Sequence, residues 1–388
     1  MDTEYDFIDK NIIIDNSRNI FSDIYKINTK SVIFTIKEIE HDDLELLKTQ
    51  LKSNFVTPSI YNAIIHYTHI RSYAITIDNT DIIYVNIISK TTSIKKSELR
   101  DIISVIRFFR ELDIQFPKIA LKINIWMSHF KKMLPRDNIR ILTPENVNTG
   151  FTMYKKSDIS KREYDIKEIH LFRKEELHKV LIHEMIHAYD LDTYFIHNHQ
   201  KVSDRLEDRY NIKSRYGIKI YESYVETIAI ILHCIYVSQS SRIDVYKAIV
   251  LETKWSLFQT AKILNYYNIH SIAELKNSDS NSANIQETSS IFSYYIIKSA
   301  LLLNIKDFLK MCHTYNTNYI QTKKNWIKKF GKLIENSLDK KSFVDIIDNT
   351  IAYIIDIDKN SKNKKYNNIK YNIKYKNDVL KNLKMSLL

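Results

Sequence analysis

The chain holds 3 glycines and 4 prolines in 388 residues, far below ordinary usage of roughly 7% and 5%. Three glycines as far apart as Gly150, Gly217 and Gly331 cannot build a glycine-rich phosphate loop, so nucleotide-driven chemistry lacks its usual cradle. Only Cys234 and Cys312 are present, which excludes a disulfide framework and a zinc-ribbon cysteine pattern. No Ser-His-Asp arrangement suggests itself. No uninterrupted apolar run reaches the roughly 18 residues of a membrane span, the best stretches being broken by His233 and Lys298. Met1 to Ile12 is polar and acidic, with no apolar signal region. These absences lead us to expect a soluble, intracellular protein in a reducing compartment, with no membrane span.

What the chain does have is mass for a core: 44% of its residues are hydrophobic, enough for two or three compact units. The formal charge of +12 is unevenly spread. From 359 to 388 there are nine lysines against Asp378, a net +8, leaving +4 over the preceding 358 residues. The body is nearly neutral, and the tail reads as flexible or marginally helical. Its lysines and Tyr366, Tyr371 and Tyr375 offer a weak contact for nucleic acid or an anionic surface.

All four prolines (Pro58, Pro117, Pro135, Pro144) precede residue 145, as a largely helical second half permits. Residues 31–38 alternate like a strand, 43–55 have helical spacing, and 72–77 and 81–89 flank the turn Asp78-Asn79-Thr80 as a hairpin. Ser97 is placed to cap a helix through Leu112. Strands follow at 119–126, 138–142, 150–155 and 166–172, then helices at 174–190 and 221–237. A polar stretch at 276–290 reads as a linker before helices at 291–304, 317–336 and 342–356. The class predicted is α+β: an N-terminal α/β unit (1–92), a core (93–275), the linker (276–290), a helical C-terminal region (291–358) and the basic tail (359–388).

The chemistry sits in His183-Glu184-Met185-Ile186-His187. On a helix, residues four apart project from one face, so both histidines can bind one metal ion. Glu184 beside them can take a proton from water and return it to a leaving amine, as in a zinc hydrolase. A catalytic zinc takes a third protein ligand. A histidine six residues after His187 would supply it, but that position is Thr193. Glu222 and Glu226, four apart on the next predicted helix, are the leading candidates; spacing alone does not order them, and His197, His199, Asp190 and Asp192 remain alternatives.

HEMIHAYD followed by ESYVE resembles the gluzincin class of zinc metallopeptidases, and locally the protease domain of lethal-factor-type toxins, over 183–226. A broader resemblance, over about 140–300, is to uncharacterised zinc metallopeptidases of large DNA viruses, carried by LTPENVNTGFT, IHLFRKEELHKVLIHEMIH and ETSSIFSYYIIKSALL. The resemblance implies a zincin-like core of helix, mixed sheet, active-site helix and glutamate helix. It implies His183, His187 and Glu222 as Zn²⁺ ligands, Glu184 as general base and Glu226 as partner of His183. It points to Tyr216, before Gly217, as oxyanion donor, with Tyr294 or Tyr295 as alternatives. It also implies that 148–155, opened by Gly150, is a sheet edge that pairs with extended substrate. His233 reads as a core histidine.

The function expected is a zinc-dependent peptidase, an endopeptidase acting on protein or peptide, in the host cytoplasm or the virion if the chain is viral. The alternative is a non-enzymatic structural or virion-associated protein with a structural or degenerate zinc site.

Overall fold

The computed structural model describes residues 12, 27–91, 94–135, 141–155, 166–241, 243–276, 285–362 and 379–388. The class is α+β, built on a mixed six-stranded sheet with a helical second half. Strands β1 (Phe34–Ile39), β2 (His69–Ile77) and β3 (Asp81–Ser89) form an antiparallel meander. β4 (Ala120–Trp126) joins parallel to β3, β6 (Ile166–Leu171) parallel to β4, and β5 (Gly150–Lys155) closes the sheet antiparallel to β6. The order is β1-β2-β3-β4-β6-β5, so β5 is an edge.

The β3–β4 pairing crosses the boundary expected at residue 92: the N-terminal strands and the core share one sheet. Alternation divides the sheet's two faces. Ile83, Val85, Ile123, Ile125 and Ile169 face α3 (Lys96–Arg110) and α4 (Leu177–Ala188) in the main core. Ile88, Trp126 and Phe151 face α1 (Leu44–Gln50) and α2 (Pro58–Ile64) in a smaller one. A polar row, Ser72, Asn86, Asn124 and His170, crosses the second face in register. Asn86 is its hub: it accepts from Ser72 Oγ at 2.6 Å and donates to Asn124 Oδ1 at 2.8 Å.

Several boundaries differ from the sequence reading. Asp43 caps α1 through its carboxylate, but the helix stops at Gln50, and α2 starts again behind Pro58. Ser97 lies inside the first turn of α3, where Glu98 accepts from the backbone of Lys95. α4 begins at Leu177, because Glu176 turns left-handed at φ 58°. Helix α5 (Gln200–Tyr210) and helix α7 (Val245–Tyr266) have no counterpart in the sequence reading. α7 is buried on nearly every face, so it carries no amphipathic stripe to detect.

Residues 285–287 of the expected linker form β8, paired parallel to β7 (Ile212–Ser214). The helix expected at 291–304 opens with a π turn, Phe292–Ile297, before α8 (Lys298–Leu303). After α9 (Ile305–Tyr315), residues 316–322 hold a small hairpin, β9 (Asn316–Thr317) and β10 (Gln321–Thr322), rather than helix; α10 (Ile327–Asp339) follows. The strand expected at 138–142 lies largely outside the described residues, as do 363–378 of the basic tail. The described ends of that tail depart from the flexible reading: 359–362 finish α11 (Lys341–Lys362), and Val379, Leu383, Met385 and Leu387 are buried in the core.

Helix α6 (Ile220–Ser240), with a mean hydropathy of 1.3, is long and apolar enough to cross a membrane by length and composition. Within this fold 72% of that window is buried, as in a core helix.

Candidate metal centre

α4 is held down over most of its surface, Leu181, Ile182, Met185 and Ile186 being fully buried. That packing fixes His183 and His187 one turn apart, their Nε2 atoms 3.2 Å from each other. α6 crosses α4 and brings Glu222 Oε2 to 3.3 Å from His183 Nε2 and 3.5 Å from His187 Nε2. Donors about 2.05 Å from a tetrahedral zinc lie about 3.3 Å apart. The triangle therefore already has the edge lengths of a zinc site. Among the described residues, this is the group of His, Cys, Asp and Glu side chains whose donor atoms converge in this way.

Each histidine is steered from behind. His183 Nδ1 faces Glu226 Oε2 at 2.9 Å, and His187 Nδ1 faces Asp192 Oδ2 at 2.9 Å. With Nδ1–H donated to carboxylate, the Nε2 lone pair is left for a metal. This orders the two glutamates: Glu222 enters the triangle and Glu226 stands behind it. Asp192, an alternative ligand by sequence, lies on the far side of the His187 ring. Asp190 is paired with Lys167, His199 bonds Ser203 Oγ at 2.9 Å, and His197 lines the cleft without joining the triangle.

Burial opposes charge throughout this group. It works against protonating His187, but Asp192 and Glu222 outweigh it and lift that pKa well above its ordinary value. His183 is lifted in the same sense by Glu222 and Glu226. Burial would raise Glu222, yet the two imidazoles hold its carboxyl far below the usual range.

Glu184 lines the same cleft, 6% exposed. Its pKa is raised, burial being the largest cause. Thr152, on edge strand β5, donates its hydroxyl to Glu184 Oε2 at 2.8 Å. Gly150, which opens β5, permits close packing against β6: a β-carbon there would stand 2.4 Å from Leu171 Cδ2 and 3.0 Å from the His170 carbonyl oxygen. The sequence hint for Thr152 was its position two residues past Gly150, on the same face of the strand.

The cleft holds about 590 Å³. β5 and Phe55 wall it on the sheet side, Phe55 stacking on Phe151 with ring centroids 5.5 Å apart. Ile196, His197, Lys219 and Tyr221 line it from the helices. Tyr294, on the π turn, donates to Glu222 Oε2 at 3.2 Å. Tyr295 points elsewhere, donating to the Leu383 carbonyl at 2.6 Å.

Tyr216 is not brought to the site. It is 52% exposed, lies between Arg215 and Lys219, and is absent from the cleft lining. Gly217 beside it is a turn residue at φ +74°. His233 is buried in the core as read, its pKa pushed down to about 3, chiefly by burial.

No family model matches this chain, and neither a curated protein nor a solved structure matches it.

Proposed function

We propose that the protein is a zinc-dependent peptidase with a zincin-like, gluzincin-type centre that hydrolyses peptide bonds in proteins or peptides. The observation that carries this reading is the convergence of three neutralisable ligands and one buried carboxylate on a single open cleft. The donor set would suit zinc: two imidazole nitrogens and one carboxylate oxygen, all three side chains lining the cleft. A bound zinc ion supplies Lewis acidity there, polarising a carbonyl and acidifying water.

The remaining work falls to the chain's own side chains. Glu184, its carboxyl pKa raised by burial, accepts the proton of the attacking water and passes it to the departing amine. Thr152 holds one carboxylate oxygen. Tyr294, whose hydroxyl lies in the cleft beside Glu222, is our candidate donor to the oxyanion that forms as the carbonyl is attacked. Its hydroxyl stays protonated, burial and the neighbouring Glu222 raising its pKa well above the ordinary value. β5 offers an open edge on which an extended peptide can add main-chain hydrogen bonds.

An open cleft over three clustered donors favours this over a zinc that only staples two helices, which would call for a fourth protein ligand. The test is Glu184→Gln assayed on a peptide library. It should retain metal and lose turnover by about 10²–10⁴-fold; unchanged turnover contradicts the proposal.

A further inference from the structure

Residues 379–388 run behind the metal centre, opposite the cleft. Three buried lysines and three buried glutamates meet there, each side chain nearly or fully inaccessible: Lys132 with Glu176 at 2.6 Å, Lys179 with Glu226 at 2.6 Å, Lys298 at 3.9 Å from Glu226, and Glu252. Buried charges are tolerated only when paired and fully hydrogen-bonded. In this cluster much of the hydrogen bonding comes from the chain segment itself.

Ser386 donates its backbone N–H to Glu176 Oε1 at 2.6 Å. Leu387 and Leu388 donate theirs to Glu252 Oε1 at 2.9 and 2.8 Å, and Ser386 Oγ adds a further bond at 2.7 Å. Among the described residues no cation pairs with Glu252, so these donors satisfy it. In the other direction, the Met385 carbonyl accepts from Lys298 Nζ at 2.8 Å, and Met385 Sδ lies 3.8 Å from Lys179 Nζ.

Both lysines so braced face Glu226, and Glu226 holds the ring of His183. A continuous chain of contacts thus runs from Met385 through Lys179 to Glu226 and His183. A cavity of about 30 Å³ separates the two ends, lined by Met385, Lys179 and Lys132 on one side and by His183, Glu184 and Tyr294 on the other.

We infer that residues 385–388 are a positioning element of the metal centre: docked, they fix Lys179 and Lys298 against Glu226 and so orient His183 for metal; undocked, they leave the three ligands in place but weaken metal binding. This rests on His183, His187 and Glu222 being metal ligands.

The experiment compares the full chain with Leu387→Asp, which sets a second carboxylate against Glu252 and drives the segment out. Zinc affinity is read by chelator competition, His183 geometry by the visible spectrum of the cobalt(II) form, and release of 379–388 by limited proteolysis. We expect zinc binding about 10–100-fold weaker, the loss typical when a partner behind a ligand is disturbed. An altered cobalt spectrum should accompany it, and a synthetic peptide of residues 379–388 should restore both. Zinc affinity and cobalt spectrum like those of the wild type, with the segment proteolytically released, overturn the inference. If Leu387→Asp unfolds, Lys298→Met and Lys298→Arg decide: weaker zinc binding in the first and near-normal binding in the second support it, and equal binding in both overturns it. A wild-type chain that binds neither zinc nor cobalt overturns the metal-centre reading itself.

Discussion

The hydroxyl of Thr152 donates to the carboxylate of Glu184 at 2.8 Å, tying the edge strand to the residue placed as general base. A carboxylate in hydrogen-bond contact with a fixed donor loses rotamer freedom and points one way. In Thr152→Val that tether is gone while the ligands are untouched. We expect zinc content to stay at the wild-type level and kcat on a cleaved peptide to fall by about tenfold or more, with KM little changed. A fall in KM alone, or a loss of zinc, would contradict the assignment.

Two tyrosines compete for the role of oxyanion donor, and geometry separates them. Tyr294 reaches Glu222 within the cleft, whereas Tyr216 is exposed beside Arg215 and Lys219. Tyr294→Phe should lower kcat by about 10²–10³, the usual cost of one such donor. Tyr216→Phe should leave turnover within a factor of about two. Steady-state kinetics on both variants checks this; the reverse ranking would return the role to Tyr216.

Much of the site was legible in the sequence because it is local. His183, Glu184 and His187 share one helical turn, and Glu222 and Glu226 share another, so helix periodicity alone set both groups on single faces. Periodicity cannot say how two helices cross, and the crossing of α4 and α6 decides that Glu222 joins the Nε2 atoms of His183 and His187 while Glu226 stands behind. Tyr294 escaped firm assignment for the same reason, since its approach depends on a π turn more than 70 residues away from Glu222. The fold was legible in the hairpin β2–β3 and in the alternating strand β4. It was illegible in α7, whose all-round burial erases the amphipathic signal, and in the basic tail. There, lysine-rich composition hid a segment whose backbone amides are wanted by Glu176 and Glu252.

Glu287 gives the fold a pH signature apart from the metal centre. Burial is the main cause that pushes its carboxyl from 4.5 up to about 8, although the Phe292 amide donates to it. The folded chain therefore keeps a proton that the unfolded chain has already released. This contribution to stability is full below about pH 4.5 and is lost as pH rises toward 8, by up to about 1.4 kcal/mol per pH unit. Glu287→Gln should remove that slope and stabilise the protein near pH 8. Urea unfolding from pH 5 to 8 reads it, and parallel curves for wild type and variant would contradict the assigned protonation.

The most direct test of the account is the metal content of freshly purified protein by elemental analysis, wild type beside His183→Ala and Glu222→Ala. The triangle of His183, His187 and Glu222 predicts about one zinc per wild-type chain and a loss of at least about tenfold in affinity in each variant. A wild-type chain that carries no zinc and takes none up on addition would contradict it.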